Sequence, residues 1–178
     1  AALGEIATKH NLLVLSDEIY EKIIYNDNDH VSIASLPGLG ERVITVNGYS
    51  KAYAMTGWRL AYVVAKPDLI LPMLKVHQYT TTCAPTFAQF GAIAATTESQ
   101  NCVTNMVEKF QRRRDLVVKG LGKISGVTCV PPQGAFYAFP NISSFGLTSQ
   151  EFVDTILQQT AVAIVPGTAF GACGEGYV

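Results

Sequence analysis

The sequence predicts an α/β protein in which buried strands alternate with helices, followed by a smaller α+β unit. Three short apolar runs carry this prediction: LLVL at residues 12–15, RVITVNG at 42–48 and RLAYVVAK at 59–66. Each run has the length and continuous apolar character of a strand buried on both faces of a parallel sheet. Helical patterns precede and follow these runs, which is the alternation expected of a parallel α/β sheet.

The composition is that of a folded protein with a substantial core. The chain has 178 residues, of which 48% are hydrophobic and 15% are charged, and its mean hydropathy is +0.22. These values exclude a disordered or fibrous chain and suggest more apolar surface than one compact monomer can hide. The net charge of −1 gives no attraction to nucleic acid or to an anionic membrane, so we expect neither as a partner.

Compartment and metal content are predicted from the apolar runs and the cysteines. No apolar run reaches the roughly 18 residues that a membrane span needs, and the N-terminus lacks the pattern of a signal peptide. The four cysteines form no CxxC pair and no Cys/His cluster, so we expect no metal site. They lie among Ala, Val and Thr, which favours buried free thiols over disulfides. A cytoplasmic protein fits these features best.

Helices are predicted where apolar residues recur every three or four positions. They comprise an N-terminal helix that includes Leu3 and Ile6, and residues 67–78, 86–97, 102–122 and 149–159. Pro67 and Asp68 favour the first turn of the second helix. Thr148 or Ser149, with Glu151, forms a capping box before the last.

The C-terminal part of the chain changes in character after residue 97. Short strands are predicted at residues 127–131, 134–140 and 161–167, around a single helix. The sequence therefore predicts two domains, one over residues 1–97 and a second over residues 98–178 that begins with a long connecting helix.

The first candidate site follows the first strand, where residues 16–21 read SDEIYE. A strand that ends directly in carboxylates places Asp17 at the carboxyl edge of the sheet, where open α/β sheets bind their ligands. Asp17 and Tyr20 can meet one ligand only if the chain makes a helical turn directly after the strand. The alternative is an ordinary strand-to-loop transition with solvated charges.

The second candidate site follows the second strand, where Lys51 lies among Gly, Ser, Ala and aromatic residues. Such surroundings favour a lysine in a low-dielectric cleft, which can act as a nucleophile or a base. Arg59 begins the next strand, returns to the same edge of the sheet and can hold a phosphate. The alternative for Lys51 is a surface lysine whose aliphatic stem covers apolar neighbours.

Together these residues resemble the fold type I pyridoxal-phosphate enzymes. The resemblance rests on Asp-x-x-Tyr after one buried strand, Ser-Lys after the next, and Arg eight residues beyond the lysine. SDEIYE, NGYSKAYAMTGWRLAY, GAFYAFP and VPGTAFG are similar to blocks of the class I and II aminotransferases of the aspartate aminotransferase kind, in family order. The resemblance covers essentially the whole chain. It implies part of the parallel-sheet large domain followed by the small C-terminal domain.

The resemblance implies a homodimeric aminotransferase that uses pyridoxal 5′-phosphate to move an amino group between an L-amino acid, of aspartate type or broader, and a 2-oxo acid. Lys51 would be the Schiff-base lysine and would move the substrate proton. Asp17 would pair with the pyridinium nitrogen, and Tyr20 would hydrogen-bond the ring 3′ oxygen. Arg59 would bind the phosphate with a planar fork that Lys cannot reproduce.

The sequence departs from the family pattern in the phosphate site and in its extent. Many relatives carry a phosphate-binding Ser three residues before the lysine, where this chain has Gly48, and Ser50 is the candidate to replace it. The family's glycine-rich phosphate nest has no counterpart here, and its α-carboxylate Arg is expected just after Val178. The chain therefore resembles the C-terminal half of such an enzyme, and alone we expect it to bind the cofactor weakly and not to transaminate.

Two other functions remain open on the same resemblance. One is a sister reaction on the same scaffold, such as a β-lyase or a cyclopropane-forming synthase. The other is the effector-binding domain of a transcription regulator, which would keep Lys51 and bind the cofactor without turnover. The sequence upstream of Ala1 would separate them, because a regulator begins with a winged helix-turn-helix and an enzyme with a substrate-gating arm.

Overall fold

The computed structural model describes residues 2–178, which divide into two compact units. The first unit extends to Val107 and the second runs from Glu108 to Val178. The division falls within a long helix, α4 (Asn101–Leu121). The two domains inferred from the sequence, residues 1–97 and 98–178, stay a prediction. Along the described part of the chain, no helix is long and apolar enough to cross a membrane.

A three-stranded sheet organises the first unit. β1 (Val14–Asp17), β2 (Val43–Gly48) and β3 (Ala61–Val64) lie in the order β1-β2-β3. β1 and β2 are parallel, as the sequence predicts, with Asp17 opposite Val46. β1 lies two residues further along the chain than the apolar run at 12–15, so the carboxylate of Asp17 belongs to the last residue of the strand itself.

β3 runs antiparallel to β2, so this part of the sheet is mixed rather than purely parallel. Gly48 lies opposite Ala61, and Thr45 lies opposite Val64. A parallel return needs a crossover of about a dozen residues or more, usually with a helix on one face of the sheet. Residues 49–60 form turns and one short 3-10 helix (Thr56–Trp58) instead, so the chain re-enters the sheet beside the end of β2.

The helices lie where the spacing of apolar residues predicts them. Besides α4 they are α1 (Ala2–Lys9), α2 (Pro67–Thr80), α3 (Thr86–Thr97) and α5 (Ser149–Thr160). The capping box predicted before α5 is confirmed. The Thr148 hydroxyl accepts from the Glu151 amide at 3.2 Å, and the Glu151 carboxylate accepts from the Thr148 amide at 2.9 Å.

The prediction of strands at residues 127–131, 134–140 and 161–167 is wrong. Pairing in the described part of the second unit is confined to isolated bridges, from Thr128 to Asn141 and from Asn141 to Tyr177. A strand needs a hydrogen-bonded partner along its length, and residue types that suit a pleated surface do not supply that partner.

The burial predicted for the cysteines is also wrong. All four are free, but Cys83, Cys102 and Cys173 are exposed and Cys129 is half-buried. Apolar neighbours in sequence do not decide burial, because successive side chains along a helix or strand point in different directions.

A small cluster in the first unit supports the connection between β2 and β3. Leu60, directly before β3, is buried against Ala88 and Ala92 of α3, and Tyr49 and Ala84 pack against this cluster. Small residues on α3 allow the helix to approach the chain closely. Both ends of the β2–β3 connection are therefore held by the core, at Tyr49 and at Leu60.

Candidate active site

Three strand ends meet at one edge of the sheet. β1 and β2 are parallel, so both end at this edge, at Asp17 and at Gly48. β3 is antiparallel, so it begins there, at Ala61. The five residues inferred from the sequence all lie at this edge or on the turns that leave it: Asp17, Tyr20, Ser50, Lys51 and Arg59.

The chain makes a tight turn directly after β1. The Asp17 carboxylate accepts a hydrogen bond from the Ile19 amide at 3.2 Å, and the Glu21 amide donates to the Glu18 carbonyl at 2.9 Å. Asp17 is exposed and Tyr20 is half-buried. The turn that the sequence argument requires for Asp17 and Tyr20 to serve one ligand is therefore present.

Lys51 is half-buried in a turn that is closed by backbone hydrogen bonds. The amides of Tyr53 and Met55 both donate to the Tyr49 carbonyl, each at 3.3 Å. The Tyr53 hydroxyl donates to the side-chain oxygen of Gln100 at 3.1 Å. Burial raises the pKa of Tyr53, so this hydroxyl keeps its proton and remains a donor. The turn that carries Lys51 is thus tied both to the end of β2 and to the start of α4.

Arg59 adopts a left-handed backbone conformation, with φ 54° and ψ 47°, after the 3-10 helix. That conformation costs a non-glycine residue about 1–2 kcal/mol, so its surroundings must impose it. The Arg59 Nη1 donates to the Thr56 carbonyl at 2.9 Å, and Thr56 Oγ1 donates to the Ser50 carbonyl at 2.9 Å. Thr56, which the sequence analysis missed, therefore connects Arg59 with the Ser50–Lys51 turn.

Close packing of β3 on β2 explains the glycine at position 48. A Cβ on Gly48 would lie 3.0 Å from the Ala61 Cα and 3.0 Å from the Leu60 carbonyl oxygen, which is tighter than nine in ten real Cβ contacts. The buried side chain of Asn47 accepts a hydrogen bond from the Gly48 amide through Oδ1 at 2.7 Å. A serine at position 48 would therefore require β3 to shift away from β2 by a few tenths of an ångström.

A buried carboxylate next to Asp17 is a second feature that the sequence analysis missed. Glu18 is only 6% exposed. Its oxygens accept hydrogen bonds from Ser16 Oγ at 3.0 Å, Ser32 Oγ at 2.8 Å and His30 Nε2 at 3.0 Å. Burial raises the pKa of Glu18, but the hydrogen bonds outweigh burial and the pKa is lowered. The signal in the sequence is the alternation of β1, which puts Ser16 and Glu18 on one face and Asp17 on the other.

Glu18, Glu21 and His30 together have oxygen and nitrogen atoms within 4.8 Å of one another, a spacing that could hold a metal ion. The Glu18 oxygens, however, already accept three hydrogen bonds. His30 Nε2 has to carry a proton, because an ionised carboxylate only accepts. We therefore interpret the cluster as a hydrogen-bond network, and the absence of a metal site stays a prediction.

A cavity of about 460 Å³ adjoins the turn that carries Lys51. Tyr49, Tyr53, Tyr62 and Glu21 are among its lining residues. None of the five site residues inferred from the sequence lines it. The cavity is therefore a neighbour of the candidate site, and we do not assign the cofactor to it.

Comparison with known proteins identifies relatives over the whole chain. The sequence profile described as aminotransferase class I and II matches residues 1–178. An aspartate aminotransferase of Pyrococcus abyssi is 49% identical over 99% of this chain and 46% of its own length, and an aromatic-amino-acid aminotransferase of Thermococcus litoralis is 43% identical over 99% and 46%. The crystal structure of an aromatic aminotransferase from Pyrococcus horikoshii superimposes with a TM-score of 0.96 at 47% identity, covering 99% of this chain and 48% of that one. The chain thus spans about half the length of the relatives it matches.

Restoring the family's serine at position 48 is expected to harm the site. Gly48→Ser should destabilise the full-length protein by about 1–3 kcal/mol, because the new side chain forces β3 away from β2. Urea unfolding of the variant measures this loss. Gly57→Ser is the matched control, since a Cβ there meets nothing within 4 Å. Equal stability of the two variants, or tighter cofactor binding by Gly48→Ser, would contradict the packing argument.

The lowered pKa of Glu18 predicts how stability depends on pH. A carboxylate whose pKa falls on folding stabilises the protein above its usual value of 4.5, and this contribution is lost as the pH falls through the lower folded value. Glu18→Gln should therefore be less stable than the wild type above about pH 5, with the difference shrinking toward about pH 3. Chemical unfolding of both proteins across this range measures the difference. A difference that grows as the pH falls would show that the pKa of Glu18 is raised.

Proposed function

The chain belongs to the class I and II aminotransferase family, and from this membership we propose that the whole protein is a pyridoxal-phosphate-dependent aminotransferase. Enzymes of this family depend on pyridoxal phosphate. The proposed reaction moves an amino group between an L-amino acid, of aspartate type or broader, and a 2-oxo acid. One observation carries the proposal for this chain: Asp17, Lys51 and Arg59 lie around the edge where the three strand ends meet.

The side chains at this edge fit the cofactor in kind. A pyridine nitrogen that must stay protonated needs a carboxylate, an aldehyde needs an amine, and a phosphate needs a cation with several donors. Asp17, Lys51 and Arg59 supply these three groups. When bound, the cofactor supplies a ring that withdraws electrons from the bonds of the substrate α-carbon.

Lys51 and Asp17 have the chemical roles in this proposal. Lys51 would hold the cofactor covalently through Nζ, and the freed amine would move the proton between the substrate α-carbon and the C4′ carbon of the cofactor. Hydrogen bonds at Tyr49 and Gln100 hold the turn that carries Lys51. The Lys51 side chain therefore moves from a fixed backbone position. The Asp17 carboxylate would accept a hydrogen bond from the ring nitrogen and so favour the protonated ring.

Tyr20, Arg59 and Ser50 have binding roles. The Tyr20 hydroxyl donates to the ring 3′ oxygen. Arg59 binds the phosphate: its Nη1 is already held by the Thr56 carbonyl, and a guanidinium has further N–H groups in the same plane for a second acceptor. The Ser50 hydroxyl would add a donor to the phosphate in place of the serine that many relatives carry at the position of Gly48.

The proposal extends to assembly and location: we propose a homodimer that works in the cytoplasm. Large apolar side chains on α2 and α3, including Tyr79, Phe87 and Phe90, are exposed. An apolar surface of this kind is typical of a chain that is covered by further protein. Four free cysteines, three of them exposed, are typical of a reducing compartment.

Covalent labelling tests the role of Lys51. Borohydride reduction of the full-length protein with pyridoxal phosphate should fix the label on Lys51, because its amine carries the covalent link. Mass spectrometry of the digest locates the label. Lys51→Arg should lose the label, the cofactor's visible absorbance band and transamination, whereas Lys66→Ala should keep all three. A label on Lys66 or Lys75 in the wild type contradicts the assignment.

Removing the charge of Asp17 tests the pairing with the ring nitrogen. Asp17→Asn should bind the cofactor but lower kcat by about a thousandfold, equivalent to several kcal/mol on the barrier, because an unprotonated ring is a poor electron sink. The asparagine oxygen can still accept the Ile19 amide, so the turn is kept. Steady-state kinetics measures the loss, with Asp29→Asn, on an exposed residue, as the matched control. A kcat within a few-fold of the wild type refutes this role.

A further inference from the structure

We propose that Glu18 is a positioning residue: buried and held by Ser16, His30 and Ser32, it fixes the peptide that presents Asp17 and Tyr20 to the cofactor. This inference rests on the proposed function and adds to it residues that lie outside the inferred site. It starts from the position of Glu18, which lies between Asp17 and Tyr20 in the chain, yet is buried where Asp17 is exposed.

The geometry of β1 explains how Glu18 acts on Asp17. Alternate side chains of a strand point to opposite faces, so Glu18 and Ser16 lie on one face while Asp17 shares the other with Leu15, which is 70% exposed. The Glu18 amide donates to the Val46 carbonyl at 2.8 Å, directly after the last residue of β1. Glu18 is therefore held through both its backbone and its side chain. The Asp17–Glu18 peptide cannot rotate without breaking one of these sets of hydrogen bonds.

The donors to Glu18 come from a segment that is itself fixed. Ser32 precedes a short 3-10 helix (Ile33–Ser35), and its hydroxyl accepts from the Ala34 amide at 3.3 Å. The Ser32 carbonyl accepts from the Ser35 hydroxyl at 2.7 Å. Glu18 thus joins the end of β1 to an ordered part of the loop. This contact limits how far the turn after β1 can move as a whole.

Stabilisation of the fold is only part of the explanation for a carboxylate at this place. Burying an ionised carboxylate is costly, and well-packed apolar side chains are often as stabilising as a buried charged network. The ionisable groups near Glu18 include His30, which binds it, Glu21, whose like charge opposes it, and Tyr62, whose pKa the charge of Glu18 helps to raise. What such a network adds is direction, because each hydrogen bond sets an angle as well as a distance. The group whose orientation these hydrogen bonds fix is Glu18, which directly follows Asp17 in the chain.

The test compares Glu18→Ala, Glu18→Gln and Ser32→Ala in the full-length protein, with Glu41→Gln, on an exposed residue, as the matched control. Four quantities are measured: the unfolding temperature without cofactor, hydrogen exchange of the Ile19 amide, the pH midpoint of the bound cofactor's visible absorbance, and kcat with KM. Glu18→Ala should lower kcat by about tenfold or more with little change in KM, because small misplacements of reacting groups are costly. It should also shift the pH midpoint and speed exchange at Ile19, whose amide binds Asp17. Glu18→Gln, which keeps the acceptor oxygen, should retain more kcat than Glu18→Ala.

A purely structural role gives a different result. The variants would then unfold at lower temperature but keep the wild-type pH midpoint, kcat and Ile19 exchange, and this outcome overturns the proposal. If Glu18→Ala does not fold, Ser32→Ala, which removes one donor and leaves the carboxylate, decides by the same measurements. If the wild type neither binds pyridoxal phosphate nor transaminates, the proposed function fails. Hydrogen exchange at Ile19 without cofactor still decides whether Glu18 fixes the Asp17 turn.

Discussion

The antiparallel return of β3 beside β2 is the constraint on which the candidate site depends. It is possible because the chain between the two strands makes only turns and one short 3-10 helix. It brings Arg59, eight positions further along the chain, back to the edge that Lys51 has just left. Its cost is visible in the backbone: a side chain at position 48 would crowd Leu60 and Ala61, and Ala54 and Arg59 both adopt positive φ.

Hydrogen bonds that belong to no regular element hold the site residues in place. The Lys51 turn is closed onto Tyr49 and tied to Gln100, and Thr56 joins that turn to Arg59. On the other strand, Glu18 is anchored from the face opposite Asp17. These contacts matter because catalytic groups are useful only when their directions are fixed before the substrate arrives. Tyr53 and Gln100 are half-buried and Glu18 is buried, whereas Thr56 is exposed, like Asp17 and Arg59.

Local patterns predicted local structure well. The helices and the capping box before α5 depend on residues a few positions apart, so the sequence contains their whole cause. Asp17, Tyr20, Lys51 and Arg59 were found because their order and spacing along the chain together resemble a known family, and the sequence contains that spacing in full. The prediction of strands in the second unit was wrong for the opposite reason, because strand pairing requires a partner from a distant segment. The predicted burial of the cysteines was wrong for the same reason, because burial depends on which segments pack on each face.

The sequence by itself determined the alternation of helix and strand, the family, and the kinds of side chain that gather at the sheet edge. Only the tertiary structure decided that β3 runs antiparallel, that a side chain at position 48 would crowd β3, and that Glu18 is buried while Asp17 is exposed. The physical reason is the range of the interactions. Periodicity and capping act over a few residues, whereas the contacts of Gly48 with Ala61 and of Glu18 with His30 and Ser32 join residues more than ten positions apart. Such contacts exist only after the chain has folded back on itself.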